Sequence, residues 1–227
     1  MSDRERAVPE FVHKANARRA EAEALQAEAG ARKAQAEAGL VELTLDNEER
    51  AKQQILASDT YNRVYRFDSS VDSKSVGSAI SRLNIWHRLE PGCDITIIFT
   101  SPGGEVVAGM AFYDYLIGLR NAGHRLTTVA QGVAASMAGI LLQAGEVRVM
   151  GRESYLLIHE IQAGVLGSFG EISDRVKWVE LVQGRIIEIF ASRSKLSKSE
   201  LKKRWSRTDW WLDSDEALKL GIVDEVR

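Results

Sequence analysis

From about residue 60 to the end of the 227-residue chain, segments patterned as strands alternate with segments patterned as helices. Arg63–Phe67 alternates as a half-buried strand does, Ile95–Phe99 is a continuous apolar run, and Leu126–Ala130 is rich in β-branched residues. Helical patterns separate these strands, which favours parallel pairing with right-handed crossovers. We therefore predict an α/β fold, in which ligands gather at the carboxyl ends of the strands.

Two glycine-containing turns fall at that predicted edge. Ser101-Pro102-Gly103-Gly104 follows the second strand, and Gly132-Val133-Ala134-Ala135-Ser136 follows the third and leads into an apolar helix. Ser136 would stand at the first turn of that helix, where unpaired N–H groups and a partial positive charge suit a developing oxyanion. Ser136 is thus a candidate nucleophile; the structural alternative is an N-cap ahead of a core helix.

A nucleophilic serine needs a base, and the chain has four histidines. His159 ends the apolar strand that begins at Tyr155, where an imidazole can be held at the edge of the core. A plain core-edge histidine is the alternative reading. A serine–lysine pair is less favoured because no lysine lies between Lys74 and Lys177.

A third group should orient the imidazole, and Asp209 is the preferred candidate. It stands between a basic helix and Trp210-Trp211, which predicts a buried, oriented carboxylate. The alternative is that Asp209 caps a turn.

Residues 1–57 form a separate, helical N-terminal arm by composition, ahead of a catalytic domain at 58–227. The arm is rich in Ala, Glu, Arg and Gln, which favour helix without offering a core. We expect Gly30 to interrupt this helix and Asn47 to cap a short helix through Leu56. Alanines at spacings of three and four form a heptad seam: Ala17, Ala20, Ala24, Ala27, Ala31, Ala34 and Ala38. The arm is either a solvated helix or a helix that packs against a partner, and its role is open between an assembly element, a propeptide and a partner tether.

Charge and cysteine content limit the classes of function. Thirty basic and 32 acidic residues give a net charge of −2, which does not indicate a nucleic-acid or anionic-membrane partner. The single cysteine, Cys93, rules out an intrachain disulfide and a cysteine metal cluster. A charged N-terminus without a membrane-length apolar run predicts a soluble, cytoplasmic protein.

Four linked motifs resemble the proteolytic subunit of the Clp protease over about residues 62–227. They are Ser101-Pro102-Gly103-Gly104, Gly132-Val133-Ala134-Ala135-Ser136-Met137-Ala138, Leu157-Ile158-His159-Glu160 and Asp209-Trp210-Trp211-Leu212. The resemblance implies a ClpP/crotonase-like spiral of βαβ units with a projecting handle helix, here at about residues 171–193.

The resemblance also implies residue roles. Ser136 is the nucleophile, His159 the general base and Asp209 the acid that orients it. The backbone N–H groups of Gly104 and Met137 correspond to the oxyanion hole.

Substrate and partners follow from the same resemblance. Gly103 and the stretch 162–170, beginning Gln162-Ala163-Gly164, would bind an extended polypeptide. Subunits would form a homo-oligomer of stacked, seven-membered rings around a proteolytic chamber. No metal or organic cofactor is implied, and ATP would be used by a partner unfoldase, because this chain has no Walker-type loop.

Some residues depart from the family pattern. Glu160-Ile161 stands where the family often has glutamine and proline, and Thr96 and Ile98 stand where it commonly has surface tyrosines that receive the ATPase. The long arm resembles that of phage-encoded Clp-like proteases, which process capsid or scaffold proteins. Two other interpretations are a crotonase-like enzyme acting on acyl thioesters and a non-catalytic scaffold subunit that assembles with an active paralogue.

Overall fold

The computed structural model describes residues 10–227, which divide between Ser58 and Asp59 into two compact units. The first unit consists of α1, Glu10–Leu56. The helices of the second unit are α2 (Ser73–Leu89), α3 (Val106–Asn121), α4 (Met137–Leu142), α5 (Phe169–Arg193), α6 (Lys198–Trp205) and α7 (Ser214–Lys219). Its strands are β1 (Val64–Phe67), β2 (Ile95–Ser101), β3 (Leu126–Ala135), β4 (Val147–Met150), β5 (Tyr155–Ile158), β6 (Trp210–Leu212) and β7 (Glu225–Val226).

Helix α1 is continuous over 47 residues and buries none of them. The expected interruption at Gly30 and the expected cap at Asn47 were therefore wrong. A helical glycine costs only about 1 kcal/mol relative to alanine, and the alanine, glutamate and arginine around it are strong helix formers. Ion pairs four residues apart, such as Arg19–Glu23 at 3.0 Å, support the exposed helix.

The second unit is built on a mostly parallel sheet of order β1-β2-β3-β4-β7, as the strand–helix alternation predicts. Strand β5 pairs in parallel with the end of β3, and β6 pairs with β5 in antiparallel fashion. The α/β prediction is confirmed.

Strand β3 is longer than expected and changes its neighbour partway along. Thr127–Ala130 pairs with β4, whereas Val133–Ala135 pairs with β5. Gly132, between the two halves, has a φ of 72°. The predicted glycine turn is instead a bend within one strand, and this bend carries the chain from β4 to β5 and on to Ser136.

The core lies between this sheet and helices α2, α3 and α4. Phe67, Phe99 and Phe112 are almost fully buried, and the Phe67 ring centroid lies 5.8 Å from each of the other two. Each such ring contributes roughly 1.5–3 kcal/mol of burial free energy, which fixes β1, β2 and α3 together.

The last two helices begin at capping side chains. Ser197 and Glu200 form a capping box at α6, and Asp213 caps α7. The final strand is short, because Gly221 turns the chain at a φ of 71° and only Glu225–Val226 pairs with β4.

None of the helices within residues 10–227 combines the length and apolar character of a membrane span.

Candidate active site

Ser136 occupies a strained junction between β3 and α4. Its backbone has a φ of 54° and a ψ of −122°, a region that costs a non-glycine residue roughly 1–3 kcal/mol. Its N–H donates to the carbonyl of Leu157 at 2.8 Å, and its own carbonyl accepts from Gly139 at 3.0 Å. A sharp strand-to-helix turn of this kind presents a serine hydroxyl at the top of a sheet.

The side chain of Ser136 makes no capping hydrogen bond to α4. The N-cap interpretation of this serine therefore lacks the bond that defines a capping side chain. Its hydroxyl remains available for chemistry.

Gly103 lies against the backbone of this junction. A Cβ on Gly103 would stand 2.5 Å from the carbonyl oxygen of Ala135, 2.7 Å from Cβ of Ser136 and 2.8 Å from the amide nitrogen of Met137. Only glycine fits, both for space and for its φ of 89°. Ser101 holds the turn by accepting from the Gly103 N–H at 3.2 Å and donating to the carbonyl of Ser69 at 2.6 Å.

The N–H of Gly104 is directed by a short parallel bridge with Val71. Val71 donates to the carbonyl of Gly103 at 2.8 Å, and Glu105 donates to the carbonyl of Val71 at 2.7 Å. In a parallel bridge the central residue turns its own N–H away from its partner, so the Gly104 N–H faces away from Val71.

Met137 is the first residue of α4, where helical N–H groups have no partner within the helix. Within residues 10–227, neither its N–H nor that of Gly104 donates to a backbone or side-chain acceptor. Both residues line one cavity with Ser136, so this cavity has two backbone donors available for an anion.

His159 follows β5, the strand that pairs with the end of β3. Ala135 is in register with Leu157, so the chain that carries Ser136 runs beside the chain that carries His159. Leu157 and His159 share one side of the strand by its two-residue alternation. The imidazole is half-buried and lines the same cavity as Ser136, as the sequence interpretation requires.

Asp209 precedes β6, the antiparallel neighbour of β5. Because Ile158 is in register with Trp210, the pairing continued by one residue sets Asp209 opposite His159. Asp209 is exposed, contrary to the expected buried carboxylate. Trp210 and Trp211 alternate across the strand, so only Trp210 points into the core and Asp209 shares the exposed side of Trp211.

No hydrogen bond joins the side chains of Ser136, His159 and Asp209 among the hydrogen bonds of the described residues. Catalytic hydrogen bonds are often long or misaligned without substrate and shorten when it binds. The strand register thus places the three residues on neighbouring chain segments, and Asp209 is not among the residues that line the cavity of Ser136 and His159.

The cavity beside Ser136 has a volume of about 430 Å³ and is lined by both polar and apolar groups. Large apolar side chains line it from Ile140 of α4, Ile186 and Phe190 of α5 and Trp205 of α6. This is enough room to enclose a substrate side chain.

The remaining described histidines lie elsewhere. His87 Nδ1 is 2.8 Å from His124 Nε2, and His124 Nδ1 is 2.9 Å from the carbonyl oxygen of Cys93. His124 precedes β3 and Cys93 precedes β2, whereas Ser136 follows β3. The His87–His124 pair is therefore at the opposite edge of the parallel sheet. His13 is exposed on α1. Within the second unit, only His159 shares a cavity with Ser136.

The structure adds three residues that the sequence interpretation missed or left without a role. Ser101 holds the glycine turn, Gly109 of α3 receives the Met137 side chain, and Glu160 lines the cavity. The only sequence signal for Gly109 was a glycine within a helix that faces an apolar helix. The signal for Glu160 was a glutamate at the position where the family often has glutamine.

A half-buried serine at a strained turn, a histidine in the same cavity and two free backbone N–H groups define the kind of site found in serine peptidases. The family model for the Clp protease matches residues 47–227, and the chain belongs to this family. The fold and the peptidase class are those that the sequence motifs predicted.

Curated relatives have the same family character. The chain is 29% identical over 178 residues to ATP-dependent Clp protease proteolytic subunit 2 of Tropheryma whipplei, covering 78% of this chain and 97% of that protein. It is 29% identical to the ATP-dependent Clp protease proteolytic subunit of Deinococcus radiodurans, covering 73% of this chain and 80% of that protein. It is 30% identical to the subunit of the same name from Bacteroides thetaiotaomicron, covering 73% and 74% respectively.

Proposed function

We propose that this protein is a serine endopeptidase that hydrolyses peptide bonds of unfolded or threaded polypeptides. Ser136 Oγ attacks the scissile carbonyl carbon, and His159 takes the serine proton and gives it to the leaving amine. Water then attacks the acyl-enzyme with His159 again as base, which releases the second product and restores Ser136.

The oxyanion of each tetrahedral intermediate is stabilised by the N–H groups of Gly104 and Met137. The observation that carries the proposal is that these two unpartnered donors line the same cavity as Ser136 and His159. Donors fixed in advance in a partly enclosed site stabilise developing charge without reorganising, and loss of one typically costs about 100- to 1000-fold in kcat.

Asp209 is the proposed orienting acid. Its position opposite His159 in the extended β5–β6 register supports this role. The carboxylate would accept from the imidazole, fix its tautomer and stabilise its cationic form.

Substrate binding is proposed along Gln162, Ala163 and Gly164, with Gly103 behind the scissile bond. This exposed stretch belongs to no helix or strand and lines a groove that shares Gly104 and Val106 with the cavity. An extended peptide can pair with such a segment through backbone hydrogen bonds.

The proposed active form is a homo-oligomer of stacked, seven-membered rings that encloses the sites. Helix α5 supports this assembly, because its last turns are buried whereas Phe169, Val176 and Leu181 of its earlier turns are exposed. A partner ATPase would unfold and deliver substrates, and the arm at 1–57 would be a separate assembly or tethering element ahead of the catalytic domain at 58–227.

Labelling with a fluorophosphonate probe tests the proposal. The wild-type protein should be labelled, whereas Ser136→Ala and His159→Ala should not, with the assembly state of each sample recorded by analytical ultracentrifugation. Equal labelling of the Ser136→Ala variant would refute the assignment of the nucleophile. A correctly assembled wild type that neither labels nor cleaves unfolded casein would contradict a peptidase function.

A further inference from the structure

The cavity beside Ser136 contains a carboxylate that the proposed mechanism does not use. Glu160 lines this cavity together with Ser136 and His159, and it is half-buried. No lysine or arginine lines the cavity, and no ion pair involving Glu160 occurs among the described residues. No lysine or arginine of the cavity therefore pairs with this carboxylate.

Large apolar side chains form much of the rest of the cavity. Ile140, Ile186 and Phe190 are at least nine-tenths buried and offer hydrocarbon surface to whatever enters. A half-buried carboxylate in such a setting interacts more strongly with a cation than a fully exposed one does, because water screens it less. The cavity thus joins an apolar wall to one negative charge.

We propose that Glu160 makes this cavity selective for substrates with lysine or arginine at the residue whose carbonyl is attacked. These side chains have a hydrocarbon stem, which matches the apolar walls, and a cationic end, which matches the carboxylate. The inference rests on the proposed peptidase function, since it assigns the substrate class of the same site.

The charges of the adjoining groove are consistent with binding of the cationic side chain in the cavity beside Ser136 rather than in the groove. Arg175 lines that groove, where its guanidinium carbon lies 4.5 Å from the centre of the Trp178 ring. Glu105 lines it as well, so the groove presents charges of both signs, whereas in the main cavity the only carboxylate is Glu160. Of these two adjoining cavities, only the one beside Ser136 has more carboxylates than basic side chains in its lining.

Matched peptides test the selectivity by hydrolysis. Two fluorogenic peptides that differ only in lysine or norleucine at the cleaved residue have side chains of similar length, of which only the lysine side chain is charged. We expect wild-type kcat/KM to favour lysine by about tenfold, as for one charge-assisted contact at a partly exposed site. Glu160→Gln should remove most of that ratio and Glu160→Lys should favour a glutamate peptide, whereas Glu153→Gln, at an exposed turn outside the cavity, should keep the wild-type ratio.

Binding to a Ser136→Ala background tests recognition without catalysis. Fluorescence anisotropy with labelled versions of the same peptides should show tighter binding of the lysine peptide, and Glu160→Gln should remove the difference. Equal binding of both peptides, or a lysine preference that survives Glu160→Gln, would overturn the inference. A lysine preference in binding together with a wild type that never hydrolyses either peptide would instead overturn the proposed function.

Discussion

Gly109 and Met137 are packed so closely that a Cβ on Gly109 would stand 2.2 Å from Cγ of Met137. This contact joins α3 to the first residue of α4, whose N–H is a proposed oxyanion donor. The glycine thus allows the two helices to approach closely enough to fix that donor.

Gly109→Ala should lower kcat by about 10- to 100-fold, because the Met137 side chain must move and take its N–H with it. Overpacking should also cost roughly 1–3 kcal/mol of unfolding free energy. Peptidase assays and urea denaturation measure the two effects. Gly118→Ala is the matched control in the same helix, since nothing lies within 4 Å of its added Cβ; equal activity of the two variants would contradict the prediction.

The order of the helices and strands, and the motifs that lie together, could be predicted from the sequence because hydrophobic periodicity and helix caps are local signals. The conformation of Ser136 could not, since a positive φ at a serine is imposed by the β3–α4 junction and by Leu157 rather than by neighbours in sequence. The exposure of Asp209 was missed because adjacent tryptophans suggest burial, whereas a strand turns them to opposite sides.

Strain at Ser136 predicts an unusual order of stability among inactive variants. Ser136→Gly relieves the cost of a φ of 54°, whereas Ser136→Ala keeps it. After the greater freedom of glycine in the unfolded chain is subtracted, Ser136→Gly should be about 1 kcal/mol more stable than Ser136→Ala. Chemical denaturation of both variants measures this difference, and an alanine variant as stable as the glycine variant would show that the junction is unstrained.

Asp224 should make folding stability depend on pH. Burial raises the pKa of its carboxyl, but hydrogen bonds from the side chain and backbone of Arg148, with the charges of Arg148 and Arg193, outweigh burial and hold that pKa below its ordinary value. A lowered pKa in the folded state stabilises the protein above the unfolded value of about 4, and this stabilisation is lost as the pH falls through the folded value.

Asp224→Asn should therefore flatten the decline in unfolding free energy below about pH 5. At pH 7 it should cost roughly 2 kcal/mol, because Arg148 is buried and would lose its paired carboxylate. Urea denaturation across pH measures both effects, with the exposed Asp94→Asn as control. An unchanged pH profile would mean that another carboxylate causes the acid sensitivity.

Gly30 limits the stability of α1 without breaking it. No atom lies within 4 Å of an added Cβ, so Gly30→Ala should stabilise the helix by about 1 kcal/mol. Circular dichroism at 222 nm on heating should show more helix, and limited proteolysis of the arm should slow. Ala29→Gly should have the opposite effects; no response to either substitution would indicate a helix interrupted at this point.

Asp209→Asn tests the proposed role of Asp209 as the orienting acid. An amide can donate to the imidazole and hold the wrong tautomer, so kcat should fall by about 1000- to 10,000-fold with little change in KM. Because Asp209 is exposed and forms no hydrogen bond with His159 in this conformation, stability should change by less than about 0.5 kcal/mol. Asp215→Asn, in the first turn of α7, is the matched exposed control. If Asp209→Asn keeps activity within tenfold of wild type, a different acceptor orients His159. The β5–β6 pairing would then stabilise the sheet without positioning a catalytic residue.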